Sequence, residues 1–501
     1  MKVTFVYRGA EQLGLEYLSS VLKQAGHRTY LAFDPGLFDD KRYIQIRPLN
    51  RLYNYRKVLI NKILSSKPDL IGFSVVTDLY QWACEVAKEV KKITNVPIIF
   101  GGIHPSSVPE IIRNEFIDMV GIGECEDALL ELVNSLETGK IDYTIRNIWF
   151  KKNGEVIRNP VRPLVQNLDS LPILDKELFE RDINIKYHYR TLAGRDCPFA
   201  CSFCCHSVLK GIYKDQQRMR KKRHIENVLE ELRIFKKRYD IKYITFEDDI
   251  FTYDKDWIND FLPQYKSKIG ISFYCVSHIK YIDGDIVSLL KESGCKLVEL
   301  GIQTMARATR INFLKRYESN EEILEAIKLC ETAKLPYVLD HIFGLPGEGE
   351  GEYLQAAKIY KKLKYCQKIQ TFAMTYYPET EIVKLSKQKG FIDSERMEEI
   401  NNGKEKHYFF GGSVKDKKLS RLNKNFEVLF KLMPLFKEPC INIILKYKIY
   451  KIFSFIPIFL ISLWEILTAM IKKDLRFTDY SNYYLIHLIR RFKNTKQFNG
   501  I

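Results

Sequence analysis

The chain has 501 residues, 46% hydrophobic and 28% charged, with a formal net charge of +17. That length allows two or three domains with substantial cores, and the lack of low-complexity segments or fixed-period repeats sets aside disordered and solenoid classes. The basic excess is spread along the chain, as on a solvated surface, and the dense run at 218–223 has no interleaved aromatics, so nucleic acid is not expected as a partner. Eleven scattered cysteines without a signal peptide argue against a disulfide framework and for a cytoplasmic setting.

Residues 1–140 alternate short apolar runs (2–7, 27–34, 69–76, 97–102, 119–124) with helical periodicity at 13–24 and 80–92. This rhythm predicts an α/β fold with a doubly wound parallel sheet, which binds ligands beyond the carboxyl ends of its strands. Glycines stand at those ends, in Gly101-Gly-Ile-His-Pro105 and Gly121-Ile-Gly-Glu124, where backbone amides can approach a large ligand. The G-x-G-x-x-G dinucleotide fingerprint is absent after the first strand.

Together with Pro68-Asp-Leu-Ile-Gly-Phe-Ser-Val-Val76, these loops resemble the cobalamin-binding, flavodoxin-like domain that precedes the radical S-adenosylmethionine (SAM) domain in one large subfamily. The resemblance implies cobalamin contacts from Glu11, Gly14, Ser74, Val75, Gly101, Gly102, His104, Gly123 and Glu124. Many cobalamin domains carry D-x-H-x-x-G, whose histidine coordinates cobalt. Here Gly9-Ala-Glu-Gln-Leu-Gly14 has Glu11 in that place, so cobalt is expected to lack a histidine ligand. His104 reads either as a contact to the cofactor tail or as an ordinary loop histidine or helix cap.

Residues 141–185 change character, with a hairpin pattern around Asn153-Gly154 and prolines at 160, 163 and 172, and are read as a connector packing between domains.

In Arg195-Asp-Cys-Pro-Phe-Ala-Cys-Ser-Phe-Cys204, three cysteines are separated by three and two residues. A cubane iron-sulfur cluster held by three thiolates keeps one iron open. A zinc site would need a fourth ligand, which Cys205 or His206 could supply, but no second half-site follows. The spacing, with aromatic Phe203 before the last cysteine, resembles the radical SAM superfamily, in which the open iron chelates the amino and carboxylate groups of SAM. The resemblance makes Cys197, Cys201 and Cys204 the cluster ligands. Asp196, before the first cysteine, and Glu379, in Tyr376-Tyr-Pro-Glu-Thr380, stand where relatives usually have glycine.

Past the cysteines, strand runs at 243–247, 272–277, 297–303, 337–343 and 371–377 alternate with helices such as 226–239 and 321–333. Repeated βα units predict a barrel, with functional residues at the carboxyl ends of its strands. The resemblance implies a partial six-unit barrel over 186–395. It also implies SAM contacts from Phe203, Glu247, Asp248, Asp249, Ser277, Gln303, Gly344 and Gly347. Acidic residues after a strand also cap helices, and glycines also serve turns. The 218–223 run reads as a solvated loop, one arginine of which could reach the SAM carboxylate.

Residues 396–501 lose the βα rhythm and are expected to be mostly helical. The stretch 452–471 is almost wholly apolar, holds Pro457 and Glu465, and has lysines on both sides. A central glutamate favours a buried or interfacial helix over a membrane span. The resulting expectation is an enzyme with a 4Fe-4S cluster, SAM and cobalamin that methylates an unactivated carbon of a hydrophobic small molecule through a 5′-deoxyadenosyl radical and methylcobalamin. A flavodoxin or ferredoxin would serve as reductant, with peripheral membrane contact through the tail. The alternatives are a radical cyclase or oxidase of the tetrapyrrole type and a non-catalytic cobalamin or redox sensor.

Overall fold

The computed structural model describes residues 1–39, 47–52, 55–213, 222–472 and 474–498, so Arg218, Arg220 and Lys221 of the basic run lie outside the described residues. The first sheet holds β1 (Lys2–Arg8), β2 (Arg28–Asp34), β3 (Leu70–Ser74), β4 (Ile98–Gly101), β5 (Met119–Gly121), β6 (Ile148–Lys152) and β7 (Glu155–Ile157) in the order β2-β1-β3-β4-β5-β6-β7. Its first five strands are parallel, and the order reverses between β1 and β3, the switch point of a doubly wound sheet. Both faces of β1 are buried, which is why it reads as an unbroken apolar run. Val3, Phe5 and Tyr7 share a core with Leu15, Leu22, Leu129 and Leu132, while Val6 packs with Leu59, Ile63 and Val90 on the opposite face.

The hairpin expected between domains belongs to this sheet: β6 pairs antiparallel with β5, setting Met119 opposite Phe150. Ile148 and Phe150 enter the sheet's own core, and the hairpin covers an edge that the three-residue β5 would otherwise expose.

The second sheet has six parallel strands in the order β13-β12-β11-β10-β9-β8. They are β8 (His188–Thr191), β9 (Tyr243–Phe246), β10 (Ser272–Ser277), β11 (Cys295–Gln303), β12 (Tyr337–Phe343) and β13 (Cys366–Ala373). No pairing joins β8 to β13 among the described residues, so the barrel is partial, as the resemblance implied. Strand β13 starts five residues before its expected position, because Lys368 and Gln370 break the apolar pattern. Lys368 is tolerated there because it pairs with Glu465 of the C-terminal region, 3.5 Å away.

The tail is helical, at Lys417–Leu432, Glu438–Lys446, Ile458–Ile471 and Leu475–Phe498. The last helix runs from the barrel to the first sheet. Arg476 meets Glu299 at 3.4 Å, and the Tyr483 hydroxyl donates to the carbonyls of Gly9 and Pro35 at 2.9 and 2.8 Å.

Two buried charge clusters lock the halves together. Lys176 Nζ lies 2.7 Å from both Glu11 Oε1 and Glu16 Oε2 and donates to the Arg190 carbonyl. Burial, reinforced by Glu11 and opposed by Lys176, lifts the Glu16 carboxyl well above the usual range. At Glu11, Lys176 and Arg190 outweigh burial and keep the carboxyl low. Arg195 bridges Glu124 at 3.1 Å and Glu126 at 2.7 Å and lies over the Tyr17 ring. Removing the cation from such a cluster strands a charge: Lys176→Met should lower unfolding free energy by about 3–5 kcal/mol. Urea denaturation checks this, and a loss under about 1 kcal/mol would refute the clamp.

Candidate functional site

The cysteine loop is anchored through Ser202, which is fully buried. Its amide donates to the Leu314 carbonyl at 3.1 Å, its hydroxyl to the Phe313 carbonyl, and its own carbonyl accepts from Ile382 N–H. Phe203 packs against the apolar cluster of Leu314, Leu345 and Met374 at the barrel mouth. Phe199 stacks on His278 at 4.1 Å, and His278 Nε2 lies 2.8 Å from Arg316. The same arginine donates to the Gly301 carbonyl at 2.6 Å, pairs with Glu318, and acts electrostatically to lower the Cys201 pKa. Burial nevertheless pushes the Cys197 and Cys201 thiols up to about 12 and about 11, while Cys205 and burial raise Cys204. Thiols so placed stay protonated until a metal displaces the proton, which suits ligands rather than a free nucleophile. Cys204, Cys205 and His206 can bring one ligand atom each within 4.8 Å, but His206 Nε2 also lies 3.0 Å from Asp249.

The strand ends of the first sheet form a second locus. Gly102 has φ +100°, and a Cβ there would lie 2.9 Å from the Val75 backbone, so the β3 and β4 tips pack main chain to main chain. Val75 N–H donates to Gly101 O at 2.8 Å, and Ser74 closes β3 beside them. Gly101 itself has open space to 4.0 Å. His104 is fully buried, packs tilted on the Tyr80 ring with centroids 4.1 Å apart, and sets Nδ1 3.2 Å from the Thr77 hydroxyl. Burial lowers its pKa to about 3, so it is neutral, and Nε2 is buried with no hydrogen-bond partner. Gly14 lies in the first turn of the helix after β1, and a cavity of about 350 Å³ at the switch point is lined by Arg8, Asp34, Asp78 and Trp82. Open glycine backbone and an orphaned ring nitrogen fit a large polar ligand. Glu11 is committed to Lys176, so its carboxylate is tied into the clamp and position 11 offers no histidine to a metal.

The third locus is the barrel mouth. Of the three carboxylates after β9, Asp248 is locked inward, accepting from Ala193 N–H at 2.8 Å and Lys222 Nζ at 2.6 Å. Glu247 pairs with Arg190 at 2.7 Å, and Asp249 is exposed beside His206. Ser277 shares a buried hydrogen bond with Thr252. Gln303 sits at φ +65° after an irregularity in β11, its amide filling the space over Gly301. Gly344 N–H donates to the Tyr353 hydroxyl at 3.0 Å, and Gly347 has open space beside it.

Several residues gave no signal in the sequence. Tyr213 reaches from the helix after the cysteines onto Gly123, where a Cβ would fall 2.0 Å from its hydroxyl, and it accepts from Glu124 N–H at 2.9 Å. Lys222 and Arg223, expected on a solvated loop, are buried: Lys222 between Asp248 and the Phe251, Tyr253 and Trp257 rings, Arg223 against Glu231. Lys222 finds its carboxylate 26 residues downstream and Arg223 finds Glu231 within the following helix, pairings that the charge run alone does not reveal.

The two missing glycines are explained by backbone geometry. Asp196 and Glu379 have φ of +81° and +59°, so the chain keeps the left-handed conformation although the side chain differs. Glycine at either position should change stability by no more than about 1 kcal/mol, while Glu379→Val should cost about 1–2 kcal/mol; thermal melting compares them. Glu348, beside Gly347, is lifted to about 8 by burial, with its bond to Thr304 opposing. A raised acid takes up a proton on folding, so its stabilising effect is complete below 4.5 and is lost as pH climbs to about 8. Unfolding measured across that window should show a downward slope that Glu348→Gln flattens.

Comparison with known proteins agrees with this layout. The radical SAM superfamily model matches residues 192–359, and the B12-binding domain model matches 6–133. An uncharacterized methyltransferase of Pyrococcus horikoshii is 31% identical over 74% of this chain and 77% of its own length. The anaerobic magnesium-protoporphyrin IX monomethyl ester cyclase of Rubrivivax gelatinosus is 24% identical over 70% of this chain, which spans 63% of that protein. The structure of the cobalamin-dependent SAM radical enzyme OxsB, with aqua-cobalamin and SAM bound, superposes with a TM-score of 0.64 at 16% identity, covering 91% of this chain and 72% of that one.

Proposed function

The chain belongs to the radical SAM superfamily, with a B12-binding domain ahead of its barrel, and from that premise we propose that it methylates an unactivated carbon of a hydrophobic small molecule, a lipid, isoprenoid or natural product. The observation that carries this reading is the Arg195 clamp. Two residues before Cys197, it ties the cysteine loop to Glu124 and Glu126 at the β5 tip, so a cluster on the loop would face a cobalamin on the sheet.

Cys197, Cys201 and Cys204 would hold a 4Fe-4S cluster, leaving one iron for SAM. Phe203, Glu247, Asp249, Ser277, Gln303, Gly344 and Gly347 would surround SAM, and Asp248 would act through Lys222. Ser74, Val75, Gly101, Gly102 and His104 would line the cobalamin site, with Gly123 and Glu124 at its border with the barrel, Gly14 behind it and Glu11 tied to Lys176. When bound, these cofactors supply the electron, the hydrogen abstraction and the methyl group. The protein supplies orientation and dryness: the helix Leu475–Phe498 lies from Glu299 to Gly9, across the gap between the two sheets. A flavodoxin- or ferredoxin-type reductant is expected. The domains are proposed as 1–140, 141–185, 186–395 and 396–501, with the hairpin counted in the first sheet.

The hydrophobic substrate class rests on the tail. Among the described residues no single helix is long and apolar enough to cross a membrane, and the apolar stretch bends by 111° near Pro457. Glu465 turns inward to Lys431 and Lys368, while Leu460, Leu463, Leu467 and Met470 face outward, 42–61% exposed. This stripe suits an interfacial surface in peripheral contact with a membrane.

Cys197→Ala, Cys201→Ala and Cys204→Ala should each abolish iron incorporation and SAM cleavage, whereas Cys205→Ala should retain both. Loss in Cys205→Ala with retention in the others would overturn the ligand set. SAM carrying a labelled methyl should pass the label to product, and an unlabelled, oxidised or cyclised product would favour the cyclase reading instead.

A further inference from the structure

A cavity of about 740 Å³ lies in the helical tail, outside both cofactor loci. One wall, Gly412 to Val414, is pinned to the barrel. Ser413 N–H donates to the Met374 carbonyl at 2.7 Å, its hydroxyl accepts from Tyr376 N–H at 2.8 Å, and Val414 presses on Gly344. The cavity therefore adjoins the carboxyl ends of β12 and β13.

Its lining is strongly cationic. Lys404, Lys406, Lys417, Arg421 and Lys424 all contribute, and none has an ion-pair partner among the described residues. The two carboxylates present are already neutralised, Glu399 by Lys415 and Glu405 by Arg396. Lys417 opens the helix Lys417–Leu432, whose N-terminus is capped by Asp416, its Oδ1 accepting from Leu419 N–H at 2.6 Å, so the positive potential here comes from side chains. The Ser454 hydroxyl, on the opposite wall, is buried and has no hydrogen-bond partner. Arg421 is held over the Phe455 ring at 4.5 Å, and Phe455 is itself exposed, ahead of Leu460 of the apolar stripe in the chain.

Five cations without ion-pair partners and an orphaned hydroxyl in one concavity suit an anion with several acceptor oxygens. We propose that this cavity binds the phosphate or diphosphate group of an amphiphilic ligand whose apolar part lies along the stripe beyond Phe455. Its assignment as the substrate's head group rests on the methyltransferase reading above; anion binding does not.

Inorganic pyrophosphate titrated into the full chain by calorimetry tests it. Wild-type protein should bind, and Arg421→Glu/Lys424→Glu should bind at least tenfold more weakly. Lys406→Gln/Lys417→Gln, milder and confined to exposed side chains, should weaken binding in the same direction if the first variant misfolds. Absence of binding by wild type, or equal binding by folded variants, would overturn the proposal. Vesicles of phosphatidylglycerol, compared with phosphatidylcholine, identify the source. Sedimentation with the anionic vesicles that pyrophosphate reverses supports a lipid head group, and pyrophosphate binding without sedimentation supports a free phosphate ester. Pyrophosphate binding alongside failed methyl-label transfer would overturn the methyltransferase reading and leave the anion site standing.

Discussion

Two cations from beyond the first sheet, Lys176 of the connector and Arg195 of the cysteine loop, are buried against four carboxylates of the N-terminal domain, Glu11, Glu16, Glu124 and Glu126. The desolvation of such charges is repaid only if the two halves meet in one register, so the clamp is a constraint on geometry more than a source of net stability. Lys176 pins the connector to the loop and helix that follow β1, and Arg195 pins the start of the cysteine loop to the end of β5. Two sheets that each have their own strand order are thereby held with their carboxyl ends facing, and every later feature of the site follows from that.

The supporting contacts spread outward from this point. Tyr213 lies on Gly123 and Tyr377 donates to Asp78 at 3.0 Å, so residues beyond the cysteines touch the tips of both β5 and β3. The final helix adds to these contacts, joining Glu299 in the barrel to Gly9 and Pro35 at the first sheet. These contacts join elements up to hundreds of residues apart in the chain. The tail has two faces: an inner one that pairs Glu465 with Lys368 and Lys431, and an outer one that offers apolar side chains and a cationic cavity.

Much of the fold was legible because buried parallel strands must be apolar on both faces, and β1, β3 and β4 read as such. The cysteine spacing was legible because a cluster needs its ligands on one short loop. The strand β13 was misplaced where Lys368 and Gln370 interrupt the pattern, since the partner that permits the lysine arrives from almost one hundred residues downstream. Glu11 reads from sequence as a cobalamin contact in place of a histidine, yet it is one of three members of a buried ion cluster. The same holds for Lys222 and Arg223, which look like solvated surface until Asp248, Glu231 and three aromatic rings close over them.

By itself, then, the sequence determined the two α/β units, the three-cysteine loop and the loss of histidine at position 11, because backbone periodicity and metal-ligand spacing are local properties. Tertiary structure alone decided which charges are spent on holding the halves together and which remain open to a ligand. A carboxylate's role depends on the cation it meets, and that cation can lie far along the chain: Lys222 is 26 positions from Asp248, and Lys176 is 165 from Glu11.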